Sequence, residues 1–231
     1  DMTTHLQNIG SHPQFIHYDW DMIFQTYFTT LFILYTSSKC FTMYSPNAAF
    51  EYVRMTFYTY WSFSSWFFIY QLIVNDDISP FDDYFAINMH IMNCVHLYEL
   101  LFYTPDMGHC IHHILVIIIQ SFTYHNSVLI GAGRYLFGAS SHMGMVSSIF
   151  SSMRVIARIE IWGLKSALDS IYYWSYLLCK GGGIIFAYWV LYEYQVIDTI
   201  ENMDGWIVLI MYFAIHLLQL YFCSIIIKKM F

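Results

Sequence analysis

Tyr98-Glu99-Leu100-Leu101-Phe102-Tyr103-Thr104-Pro105-Asp106-Met107-Gly108-His109-Cys110-Ile111-His112-His113-Ile114-Leu115 is the stretch on which the reading of this chain turns. It sets an acid, a proline-containing polar break and three histidines directly before the apolar run 114–119. A run this apolar is a candidate membrane helix, and ionisable groups at its mouth are costly enough in lipid to need partners or a task.

The rest of the composition agrees with that start. Of 231 residues, 58% are hydrophobic and 11% charged, with a mean hydropathy of +0.49, too little polar surface to cover a water-soluble globule. A formal charge of -7 and a pI near 5.8 exclude a nucleic-acid binder, which needs a basic face. The cysteines, Cys40, Cys94, Cys110, Cys179 and Cys223, include no CxxC pair and lie in or beside apolar runs, so they read as packing residues. The chain opens at Asp1 with no signal-peptide pattern, which suggests a processed or truncated start.

Residues 1–21 form a polar lead carrying His5, His12, His17, Asp19 and Asp21; residues 22–231 read as one membrane domain. Apolar segments at 22–43, 55–74, 84–104, 111–131, 135–153, 168–192 and 206–227 approach the ~20 residues that cross a ~30 Å hydrocarbon core. The expectation is an all-α, polytopic bundle of about seven transmembrane helices. Seven spans put Lys39, Arg54, Arg154, Arg158, Lys165, Lys228 and Lys229 on one side. Asp19, Asp21, Asp76, Asp77, Asp82, Asp83, Asp198, Glu201 and Asp204 fall on the other, with Arg134. The basic side, with the C-terminus and the mouth at His112 and His113, is then cytosolic or matrix-facing. In segment 135–153, Gly138, Ala139, Ser140, Ser141, Gly144, Ser147, Ser148, Ser151 and Ser152 give a small-residue face that lets helices approach closely. The acidic loop 76–83 reads as a solvated turn before a cation site.

His109, His112 and His113 share a helical face, since offsets of three and four residues are neighbours. Their HxxHH spacing is that of one histidine box, whereas membrane di-iron enzymes need several; His90 and His96 are wrongly spaced for another. A mononuclear zinc set of His109, His113 and Glu99 is geometrically open, beside the plainer reading of hydrogen-bonded interfacial histidines, and no metal is expected. Lys180, ahead of Gly181-Gly182-Gly183, is either a cavity lysine pairing with Glu99 or an anionic headgroup, or a snorkelling lysine beside a kink. Arg154, Arg158 and Lys165 form a basic cluster that topology explains and that also suits lipid phosphate.

Tyr98-Glu99, about a dozen residues, then His112-His113-Ile114 opening an apolar helix resembles the TLC domain of ceramide synthases, translocation-associated membrane proteins and their relatives. The resemblance is specific at 98–99 and 105–115 and extends by span count over roughly 50–229. It implies a helical barrel around a central cavity, often with an extra helix before it. It also implies an acyl-CoA–dependent acyltransferase in which His112 or His113 takes a proton from an amine attacking a thioester. The chain departs from the family where Gly138-Ala139-Ser140-Ser141-His142 stands in place of an acid beside a small polar cluster. Glu99, or His142, would have to orient the base instead.

Two functions follow. The preferred one is a non-catalytic structural or lipid-binding accessory subunit of a larger membrane complex. That complex would be a respiratory or ATP synthase assembly of the mitochondrial inner membrane, with the endoplasmic reticulum the other address. The alternative is the acyltransferase, using His112, His113 and Glu99. The cavity residues are then Lys180, Ser140, His142, Arg154 and Arg158. Bound phospholipid is expected and no other cofactor. The expected partners are membrane lipids, and other subunits held through 135–153 and 1–21.

Overall fold

The computed structural model describes residues 20–74, 82–103, 106–125, 145–161, 163–193, 196–200 and 203–230. Every long element among them is an α-helix. They are α1 (Trp20–Tyr44), α2 (Ala49–Val74), α3 (Asp82–Phe102), α4 (Met107–His125), α5 (Met145–Ile159), α6 (Lys165–Tyr176), α7 (Gly182–Glu193) and α8 (Met203–Met230). A π-helical turn, Leu177–Gly181, joins α6 to α7, and a 3-10 turn, Val196–Thr199, precedes α8.

Local chemistry sets the breaks. Pro46 biases the residue before it away from the helical region, and α1 stops at Tyr44. The Ser45 N–H still closes onto the Phe41 carbonyl at 2.7 Å. In the Pro105 region α3 ends with the Tyr103 N–H on the Glu99 carbonyl at 3.0 Å. Asp106 then caps α4, its Oδ1 accepting the His109 N–H at 3.0 Å. Gly108 admits the close approach of α8: a Cβ there would stand 3.2 Å from Phe222 Cζ. Between α6 and α7 the backbone stays right-handed, with Tyr176, Leu177 and Gly182 all in the helical region. The predicted segment 168–192 is therefore one continuous helical path, widened by one turn at Lys180.

The packing order makes a ring. α2 packs on α3, α3 on α4, α4 on α8, α8 on α6, α6 on α5, and α5 returns to α2. α1 lies outside it, against α2 and α3. Leu34, Val53, Trp61, Met92, Val95 and Ile119 belong to the buried core cluster between these helices.

The helices fall on the expected segments with ends shifted by up to six residues, except the fifth; 126–131 of the fourth segment lies outside the described residues. Only the last part of 135–153 lies in the described residues, and α5 runs on through Arg154 and Arg158 to Ile159. One helix among the described residues, Gly205–Met230, is long and apolar enough to cross a membrane; Met107–Ser121 is apolar but shorter. Longer helices such as α2, AFEYVRMTFYTYWSFSSWFFIYQLIV, are diluted by tyrosine, tryptophan, serine, threonine and charge, whereas α7 is apolar but short. Residues 1–19, 75–81 and 126–144, with Arg134, Gly138, Ser140 and His142, lie outside the described residues, and Asp82 and Asp83 of the expected acidic loop 76–83 instead open α3.

Candidate functional site

Glu99, on the inward face of α3, is the centre of the site and is 1% exposed. Two donors from α2 meet its Oε1: Arg54 Nε at 2.7 Å and the Tyr58 hydroxyl at 2.6 Å. From α4, His113 Nε2 lies 2.9 Å from Oε2. Oε2 itself makes no hydrogen bond that meets the geometric criteria. His96, one turn before Glu99 on α3, brings Nδ1 to 3.8 Å from the same oxygen. Its ring lies 4.5 Å from that of His113, centre to centre, and neither His96 nitrogen makes a hydrogen bond.

Arg54 is held twice. Its Nη1 also donates to Glu51 Oε1 at 3.1 Å, and the guanidinium lies over the rings of Phe50, Tyr58 and Tyr103. This corrects its expected place among the loop charges. α2 begins at Ala49, which puts Arg54 in its second turn, with a side chain only 17% exposed.

The cluster forms one wall of a cleft of about 330 Å³ that every helix of the ring helps to line. Arg54 and Tyr58 come from α2, His96 from α3, His112 and His113 from α4, Ser147 and Ser151 from α5, and Tyr172 and Tyr176 from α6. Phe222, Ile225 and Ile226 of α8 supply an apolar wall, with Lys229 and Asp106 at the mouth. The π turn delivers Lys180 into this cleft at 8% exposure, and no carboxylate of the described residues pairs with it. Lys180 and His112 also border a smaller inner void of about 30 Å³ lined by Val116, Ile119 and Ile215.

The structure thus brings His112, His113 and Lys180 to one cleft, with Glu99 directly behind its wall. It gives Glu99 to Arg54 and Tyr58, not to Lys180. His109 leaves the group: it is half-exposed, pairs with Asp106 Oδ2 at 2.8 Å and stacks on Phe222. The three histidines are therefore not one ligand set. The backbone hydrogen bond from His109 holds the Asp106 carboxyl below its usual value. Arg154 and Arg158 both converge on Asp169 Oδ1, at 2.5 and 3.1 Å, and Arg154 stacks over Tyr172. Ser140 and His142 are outside the described residues.

Sequence reasoning missed Arg54, Tyr58, His96 and Asp169. The signal was present for the first three. Glu51, Arg54 and Tyr58 follow at offsets of three and four along one face of α2, as His96 and Glu99 do on α3. No protein-family model, curated protein or solved structure matches this chain.

Proposed function

We propose that this chain is a polytopic, TLC-like membrane bundle whose central cleft holds an anionic lipid, and that it acts as a non-catalytic accessory subunit of a larger membrane complex. The observation that carries the reading is Lys180. It is buried, lines the cleft and has no carboxylate partner among the described residues, which leaves a cation for an anionic headgroup. Lys229 at the mouth adds a second positive charge, and Phe222, Ile225 and Ile226 offer an apolar wall for a chain. The ring with α1 outside it suits the barrel that the TLC resemblance implies.

Support for several spans, beyond the one helix that qualifies by composition, comes from the surface. Phe28, Phe63, Tyr70, Ile185, Tyr192 and Leu217 all stand out from the bundle on α1, α2, α7 and α8. Exposed apolar area so widely spread is expected where lipid is the solvent. The mitochondrial inner membrane and the endoplasmic reticulum both accommodate such a bundle. Contacts to other subunits are assigned to 135–153 and 1–21.

The acyltransferase reading keeps one favourable observation, the 2.9 Å approach of His113 to Glu99 beside the cleft. A base needs a partner free to stabilise its cation. Glu99 already neutralises Arg54 and accepts from Tyr58, which favours a fixed polar hub over a proton-relay dyad.

The test is mass spectrometry of lipids extracted from the full chain purified in detergent, with and without Lys180→Met. Stoichiometric anionic phospholipid in the wild type, lost in the folded variant, is the expected outcome. A wild type that carries only zwitterionic lipid, or a variant that keeps the anionic one, sinks the lipid reading. Acyl transfer by the purified protein that disappears in His113→Ala would replace the accessory reading with the enzymatic one.

A further inference from the structure

We propose that His96, Glu99 and His113 form a mononuclear divalent-metal site of the zinc class on the inner wall of the cleft. The three residues are buried, and one candidate ligand atom from each lies within 4.8 Å of the others. Two imidazoles and a carboxylate are a donor set that suits zinc, with the fourth position left to a small exogenous ligand.

The distances are close to those of a coordinated ion. A tetrahedral ion with ligands at about 2.0–2.1 Å holds neighbouring donor atoms roughly 3.4 Å apart. Glu99 Oε2 stands 2.9 Å from His113 Nε2 and 3.8 Å from His96 Nδ1, one a little inside that separation and one a little outside it. The His96 and His113 donor atoms lie within 4.8 Å of each other, so side-chain shifts draw the three onto one ion. The orphaned polar atoms are those a cation would satisfy: both His96 nitrogens and Glu99 Oε2 are buried without a hydrogen bond. Buried polar atoms are normally paired, so a group of them around one point indicates a missing partner that accepts lone pairs.

The surroundings resemble the outer shell of a metal site. Arg54 and Tyr58 hold Glu99 through Oε1 and so fix the carboxylate with Oε2 turned to the imidazoles. His96 and His113 both border the cleft, so the open coordination position faces its interior. This set is distinct from one containing His109, which Asp106 holds at the mouth. It faces the same cleft as Lys180, but that residue is not among its three ligands. The rival account is an imidazolium on His113 balancing Glu99, with His96 merely packed beside it.

The two accounts part on metal content and on the atoms around the metal. The full chain, purified in detergent and stripped with a chelator, is titrated with Zn²⁺ and with Co²⁺ as a spectroscopic probe. The expected result is one equivalent bound per chain, with the visible bands of tetrahedral Co²⁺. Binding should fall at least tenfold in His96→Asn and in His113→Asn and be unchanged in His109→Ala. Should the asparagine variants fail to fold, X-ray absorption of the zinc-loaded wild type decides the matter. Expected is a first shell of nitrogen and oxygen near 2.0–2.1 Å with outer-shell imidazole scattering. No stoichiometric uptake by folded wild type, full binding by a folded His96→Asn, or a sulfur shell near 2.3 Å would each overturn the assignment.

Discussion

Glu99 is asked to satisfy a guanidinium, a phenol and an imidazole from two other helices while almost no water reaches it. Buried ion pairs contribute little net stability, because desolvation cancels most of the attraction; removing one partner is another matter. Glu99→Leu leaves Arg54 paired with Glu51 but takes the acceptor from the buried Tyr58 hydroxyl, and should cost about 1–3 kcal/mol, read by denaturant unfolding in detergent. Adding Tyr58→Phe should recover part of that loss, since the second change removes the hydroxyl left without its acceptor. Strictly additive penalties in the double variant would show that the two residues do not interact.

Two helix boundaries give sharper tests than the helix interiors. Asp106 caps α4 through the His109 N–H, so Asp106→Ala should lower stability by at most about 1 kcal/mol. The carboxyl ordinarily titrates near 3.8 and is shifted down by that hydrogen bond, so the folded state favours the charged form. Its contribution is therefore present above pH 3.8 and fades as pH falls through the lower folded value. Thermal melts of both proteins should accordingly converge in acid; a gap that widens there would contradict the cap. At the α5–α6 turn, Ile161 adopts φ of 57° while 89% exposed. A β-branched side chain in the left-handed region costs roughly 1–2 kcal/mol, part of which glycine returns as chain entropy. Ile161→Gly should raise stability by up to about 1 kcal/mol. A lower melting temperature for that variant would show that its side chain is held by something that outweighs the strain.

For the molecule as a whole, the ring explains why polar residues gather where they do. On the proposed membrane reading, association cannot be driven by hiding apolar surface from lipid, so close packing and interior polar contacts would hold the helices together. The cluster around Glu99 ties α2, α3 and α4, and Arg154 and Arg158 tie α5 to α6 through Asp169. Asp106 and Lys229 both line the cleft mouth, which sets the start of α4 and the end of α8 at one end of the bundle. In membranes of defined orientation, cysteines at Asp106 and Lys229 should therefore label from the same face. Those at Asp77 and Glu201 should label from the other, as the charge distribution predicts. Opposite labelling of positions 106 and 229 would exclude the arrangement.

Helix positions were written into the sequence because they depend on local causes: apolar runs long enough to pack, and breaks at Pro46, Pro105 and the polar stretches. The involvement of Glu99, His112, His113 and Lys180 was legible for a related reason, since an ionisable residue inside an apolar run must be accommodated somewhere. The choice of partner was not legible. Arg54 stands 45 positions before Glu99, and Asp169 lies 11 residues after Arg158 on the next helix. Periodicity sets Arg54 on one face with Glu51 and Tyr58, but nothing local names Glu99 as its partner. Periodicity does say that His96 and Glu99 share a face of α3. Only the packing of α2 and α4 against that face turns His113 toward Glu99, gives one carboxylate oxygen to Arg54 and Tyr58, and leaves the other between two imidazoles. Side-chain chemistry is a property of the chain, but which groups lie within 3 or 4 Å of each other is decided by how the helices close the ring.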